Sequence, residues 1–131
     1  MSHLLDASVL IACGWETHTA HDAANRWLSK SASFSTSSIV QMAFVRVSMS
    51  QAYEASFGQA LTVLQSLLDD SRHQFVADDI ESRDLPAVQG NKEVTDAHLV
   101  ILASRHHMKL ATLDKPLSEK NWARGIAELI N

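Results

Sequence analysis

Cysteine is almost absent: Cys13 is alone among 131 residues, so no internal disulfide can form and a reducing compartment is the simpler reading. Two prolines and four glycines are too few for long flexible linkers. No basic start followed by an apolar signal stretch is present. The longest apolar runs, VLIAC and AHLVILA, fall far short of a membrane span. Excess positive charge is missing too. A net charge of −4 argues against a general polyanion binder and leaves room only for a local basic patch. The expectation is a cytoplasmic protein with no membrane partner. Residues 1–131 form one domain, 46% hydrophobic and 20% charged, long enough to bury a sizeable core.

What is there is an alternation of strand-like and helix-like segments. HLLD (3–6) reads as a short buried strand, and ASVLIACGW as a short helix stopped by Gly14. The next helix is expected over THTAHDAANRWLSK with Thr17 as its cap, because Ala20, Ala23, Ala24, Trp27 and Leu28 share one helical face. A strand around Phe34 and a mostly buried helix over IVQMAFVRVSMS follow. Ala60, Leu61, Val63, Leu64, Leu67 and Leu68 make another helical stripe. Residues 74–77 read as a strand, and ESRDLPAVQGNKE as a polar connection broken by Pro86 and Gly90. Thr95 is expected to cap a helix to about His107. MKLATLD reads as a strand, LSEKNWARG as a surface excursion and IAELI as a last strand or helix. This order predicts an α/β fold with a parallel sheet covered on both faces.

In such sheets, sites form outside the carboxyl ends of the strands. Asp6 ends the first strand, Asp114 ends a late one, and Asp96 begins a helix that feeds back into the sheet. Three carboxylates distant in sequence thus converge on one rim. Crowded carboxylates repel, so one must protonate or a cation must sit among them. An oxygen-only cluster suits Mg²⁺ or Mn²⁺, and the chemistry suggested is metal-assisted phosphodiester hydrolysis. Aspartate at strand ends and helix starts is also ordinary capping and turn chemistry.

HLLDASVLIA, IVQMAFVRV, GNKEVTDAHLVILA and LATLDK, in that order, resemble the successive motifs of the PIN-domain nucleases. The closest branch is the VapC-type toxins of bacterial toxin–antitoxin pairs, whose second helix THTAHDAANRWL also resembles. The resemblance implies a three-layer fold with a central parallel sheet of four to five strands. It implies an endoribonuclease dependent on Mg²⁺ or Mn²⁺, blocked by a cognate antitoxin protein and commonly a homodimer. By resemblance Asp6, Asp96 and Asp114 are the catalytic and metal-ligating acids, with Thr95 and Thr112 as hydroxyl neighbours. Two departures stand out. Gln41 occupies a position where many members carry an acid, and Ser8 one where many carry Asn.

Other residues divide between functional and structural readings. Arg46, on a mostly apolar helix, reaches either a backbone phosphate at the rim or a structural acid. Lys115 follows Asp114 and either touches phosphate or is solvated. His18 and His21 lack a third ligand of suitable spacing. His98 should point away from Asp96, about 200° around the helix. Glu93 is a substitute acid for the charge that Gln41 lacks. The leading expectation is a toxin-type ribonuclease. The alternative is a catalytically weak binding module acting mainly through an antitoxin or repressor complex, motivated by Gln41.

Overall fold

Short apolar segments flanked by polar turns become the central strands here because a parallel sheet buries both of their faces, while the edge strand over residues 73–76 stays largely exposed. The computed structural model describes residues 2–131. The elements in order are β1 (His3–Leu5), α1 (Ala7–Gly14), α2 (His21–Ser29), β2 (Phe34–Ser37), α3 (Ser38–Ser48), α4 (Phe57–Leu68), β3 (His73–Val76), α5 (Val94–Arg105), β4 (Lys109–Thr112), α6 (Lys115–Ser118) and β5 (Ala127–Leu129). Single 3₁₀ turns occupy Ser82–Asp84, Asn91–Glu93 and Asn121–Ala123. The five strands are parallel, in the order β3-β2-β1-β4-β5. The expected α/β fold is what the chain adopts.

The chain moves outward from β1 to β3, and α5 then carries it back across the sheet to β4. Right-handed crossovers put α1 to α4 on one face and α5 and α6 on the other. The direction of winding reverses between β1 and β4, and a crevice opens at such a switch point. Register fixes what meets there. Leu5 lies opposite Ala111, so the chain leaves both strands at the same level, at Asp6 and just past Thr112.

Leu4, Leu5, Leu110 and Ala111 are fully buried in the central strands, with Phe34 beside them. Helix α5 is apolar almost all round, and Ala97, Leu99, Val100, Leu102 and Ala103 are all buried. Helix α1 packs closely on α3 because Gly14 has no side chain. A Cβ there would stand 2.8 Å from Phe44 Cε2 and 2.9 Å from Cζ. The start of α4 is fixed by a reciprocal cap. Ser56 Oγ accepts from Gln59 N (3.1 Å) and Gln59 Oε1 from Ser56 N (2.8 Å). Helix α5 ends with His107 in the left-handed region (φ 57°) and Met108 N bonding back to Ala103 O at 2.8 Å. Among the described residues no helix is long and apolar enough to cross a membrane.

Four local expectations are corrected. Thr17 caps nothing: α2 begins at His21 with Ala20 in the capping position, after two turns over 15–21 in which Trp15 O accepts from His18 N and His18 O from His21 N. Thr95 lies inside α5, because the turn over Asn91–Glu93 runs directly into the helix and puts Glu93 at its cap position. The third strand starts one residue early, at His73. The supposed excursion after β4 contains α6 and buries Leu117 and Ala123 against the core.

Candidate functional site

Asp6 follows β1 directly and is 7% exposed. Its backbone N–H continues the sheet by donating to Ala111 O (2.9 Å), which locks the residue beside β4. Two hydroxyls converge on its carboxylate. Thr112 Oγ1 donates to Asp6 Oδ2 at 2.7 Å and Ser8 Oγ donates to the same oxygen at 3.1 Å. The network extends to the strand end opposite. Asp114 N donates to Thr112 Oγ1 (3.0 Å), and Leu113 N donates to Ser8 Oγ (3.1 Å). Asp114 itself is exposed, and its Oδ1 caps α6 by accepting from Leu117 N at 3.1 Å. Ser8, Thr112 and Asp114 therefore belong to one hydrogen-bonded lip around Asp6.

Asp96 sits in the first turn of α5, half-buried, on the opposite wall. Burial, then the charges of Asp6, Asp114 and Glu93, push its carboxyl up to about 6. Asp6 is also raised. Burial dominates, the bonds from Thr112 and Ser8 oppose it, and the charge of Asp114 adds to it. The three aspartates thus feel one another across the crevice between β1, β4 and α5.

Two side-chain pairs join the neighbouring elements. Glu93 Oε1 meets Lys120 Nζ at 2.5 Å. Its Oε2 accepts from the backbone N–H groups of Gln89 (2.8 Å) and Gly90 (3.3 Å), so its carboxyl is held below the usual range. On the other side, Asp78 Oδ1 meets His98 Nε2 at 2.8 Å while its Oδ2 accepts from Ile39 N at 3.2 Å. Asp78 thereby ties the starts of α3 and α5 together at the carboxyl end of β3. His98 points to this contact, away from the aspartates.

The remaining sequence candidates sit elsewhere. Gln41 turns its Nε2 to Thr36 Oγ1 (3.0 Å), and that hydroxyl meets His73 Nε2 at 2.7 Å. Arg46 is exposed on α3 and lines an apolar groove against α4 with Met42, Val45 and Met49. Among the described residues it makes no ion pair. Thr95 and Lys115 are exposed, the latter opening α6 beside Asp114. His18 and His21 serve turns and helix packing: Nδ1 of His18 accepts from Ala20 N (2.9 Å), and Nδ1 of His21 meets Ala12 O (2.8 Å).

Comparison with known proteins decides the family. The PIN domain model matches residues 3–123. The chain is 34% identical to Ribonuclease VapC39 of Mycobacterium tuberculosis, over 99% of this chain and 100% of that protein. It is 38% identical to Ribonuclease VapC29 of the same organism, over 90% of each chain, and 35% identical to Ribonuclease VapC38, over 85% and 84%. The chain belongs to the PIN-domain family, in its VapC branch. Solved VapC structures share the fold. Mycobacterium tuberculosis VapC20, described as a Sarcin-Ricin loop cleaving toxin, superposes with a TM-score of 0.69 at 15% identity. VapBC2 from Rickettsia felis, bound to a promoter DNA fragment, gives 0.67 at 18% identity. Both alignments span the full length of both chains.

Within this PIN fold the donor set can be tested against a metal ion. Among the described residues no three His, Cys, Asp or Glu side chains stand close enough together to hold an ion by themselves, so an ion here would rely on water and substrate oxygens as well. The lip offers only oxygens, from three mutually repelling carboxylates on separate elements. An open, all-oxygen set suits a hard cation that keeps several waters, as Mg²⁺ does, rather than one needing a complete protein cage. Sequence reading missed the roles of Lys120 and of the Asp78–His98 pair. No local signal marked them, since each partner lies on a different element more than a helix away.

Proposed function

We propose that this single PIN domain, residues 1–131, is a metal-dependent endoribonuclease acting as the toxin of a toxin–antitoxin pair. The observation that carries the reading is that Asp6, Asp96 and Asp114, from three separate elements, face one crevice in a chain of the VapC branch, where burial and then the other acids raise the Asp96 carboxyl. Asp6, Asp96 and Asp114 are the catalytic acids and would hold Mg²⁺ or Mn²⁺. Such an ion supplies charge neutralisation at the phosphate and activation of water. The protein's own residues set the geometry. Thr112 and Ser8 fix Asp6 through one oxygen and leave Oδ1 for the crevice. Asp114 spends Oδ1 on α6 and presents Oδ2. Asp96 closes the opposite wall. Lys115, beside Asp114, is a rim cation for a flanking phosphate and Thr95 is a polar neighbour of Asp96, while Gln41 and Arg46 lie farther along α3, Gln41 bonded to Thr36 and Arg46 on the groove against α4.

The named relatives are ribonucleases, and a structural neighbour is an antitoxin-bound complex. RNA as substrate and a cognate antitoxin as partner extend from them to this chain, and a homodimer in a cytoplasmic setting is what the family resemblance adds to the proposal. The test is cleavage of structured RNAs, tRNA included, with Mg²⁺ or Mn²⁺ and with EDTA. Activity should require the ion and vanish in Asp114→Asn. Cleavage that persists in both controls would overturn the reading.

A second reading rests on Gln41, which brings no charge to the cluster and spends its amide on Thr36. On it, the chain is a catalytically weak module working through an antitoxin complex. Calorimetric titration of Mn²⁺ separates the two: no binding, with or without RNA, selects the module.

A further inference from the structure

A cavity of about 450 Å³ opens beside the aspartates, between the loop preceding α5 and the segment following β4. Pro86, Gln89, Glu93, Lys120, Asn121 and Trp122 line it. Two of these adjoin the acid cluster: Glu93 stands at the cap position of α5, whose first turn carries Asp96, and Lys120 lies just past α6, which Asp114 caps. We infer that this cavity is a nucleobase subsite, taking one unstacked base of a single-stranded ribonucleotide next to the bond that is cut. The inference rests on the ribonuclease reading for its substrate, and on geometry for its place.

The lining has the parts that base recognition uses. Trp122 packs against the core and lines the cavity, supplying an aromatic side chain on which a base can stack. Gln89 and Asn121 are exposed, and each amide offers donors and an acceptor to a base edge. Among the described residues neither amide side chain, nor the Trp122 indole N–H, has a partner within the protein. The Trp15 indole, by contrast, donates to Ser48 Oγ at 2.9 Å. Lys120 puts an ammonium at the junction with the acids, where the adjoining phosphate would lie. On a chain of net charge −4, attraction for RNA must come from such local cations.

The cavity is also preformed. Glu93 bridges its two walls, binding Lys120 on one side and the Gln89 and Gly90 backbone on the other. A pocket held open this way saves the ordering that a flexible loop would have to undergo on binding.

The test titrates AMP, GMP, CMP and UMP into the ¹⁵N-labelled full chain in EDTA, with ribose 5-phosphate as the base-free control. The reporter is the Trp122 indole resonance, identified with Trp122→Phe. The nucleotides should shift it, one base more strongly than the rest, and ribose 5-phosphate should leave it in place. Removing both amides, in Gln89→Ala/Asn121→Ala, should weaken nucleotide binding roughly tenfold, the size of one lost base contact. Both positions are exposed, so the fold tolerates the change. An indole unmoved by all four nucleotides at millimolar concentration, or moved equally by ribose 5-phosphate, overturns the proposal. RNA cleavage is scored separately. Nucleotide binding without cleavage would sink the nuclease and keep the subsite, and cleavage with a silent indole would do the reverse.

Discussion

At the amino end of β3, Asp70 is gripped by Arg72: Nη2 to Oδ2 at 2.7 Å and Nε to Oδ1 at 3.0 Å. The same guanidinium donates through Nη1 to the carbonyls of Leu28 (2.7 Å) and Ser31 (2.9 Å), stapling the end of α2 to the sheet. Those bonds to Arg72 draw the Asp70 carboxyl down to about 2. At the carboxyl end of the same sheet, Asp96 is half-buried among other acids, and burial first, then their charge, pushes it up to about 6. Each arrangement reflects what the neighbours supply. One acid was given a matched donor and works as structure. The other was left half-buried beside like charge, a setting that the proposed metal ion would relieve.

The contrast can be broken most decisively by exchanging the consequences of the two sites. Asp6→Asn should reduce metal-dependent RNA cleavage by more than the roughly 10–100-fold that losing an outer-shell partner costs, with the fold intact by circular dichroism. Arg72→Ala should leave metal binding unchanged and lower the urea midpoint of unfolding, through lost charge-assisted bonds and carbonyls left without their donor. If Arg72→Ala impaired metal binding as well, the two ends would not be separable.

The pH dependence sharpens the comparison because the two groups act with opposite sign. Asp70 has a lowered folded pKa, so its contribution is present above about 4 and is lost as pH falls toward about 2. Asp96 has a raised folded pKa, so the folded state binds the extra proton. Stability from this group is present below about 4 and declines as pH rises toward about 6. Metal-free protein should therefore lose stability between those latter values in chemical denaturation, and millimolar Mg²⁺ should flatten the loss. A steady gain over that range would contradict the assignment. The smallest effect is Asp96→Asn, which should stabilise metal-free protein at neutral pH by on the order of 1 kcal/mol by relieving repulsion. Asp70→Asn should destabilise it.

Much of the architecture is written locally. Alternating apolar runs of strand and helix length forced a parallel sheet, and Asp6 and Asp114 fell at strand ends by counting alone. Capping was less legible. Thr17 and Thr95 carry the right side chain, but neighbouring turns had already set where α2 and α5 begin. Lys120, Glu93, Asp78 and His98 were opaque for a different reason: their partners lie on other elements, and no period or spacing in one segment reveals an ion pair between two.

The sequence by itself determined that three aspartates end up at element ends and that the chain winds into an α/β sheet, because periodicity and strand length are properties of short segments. Only the tertiary structure decided that burial and mutual charge raise Asp96, that Thr112 and Ser8 share one oxygen of Asp6, and that Gln41 bonds Thr36. Those outcomes depend on distances between elements, which are set by how the helices pack across the sheet.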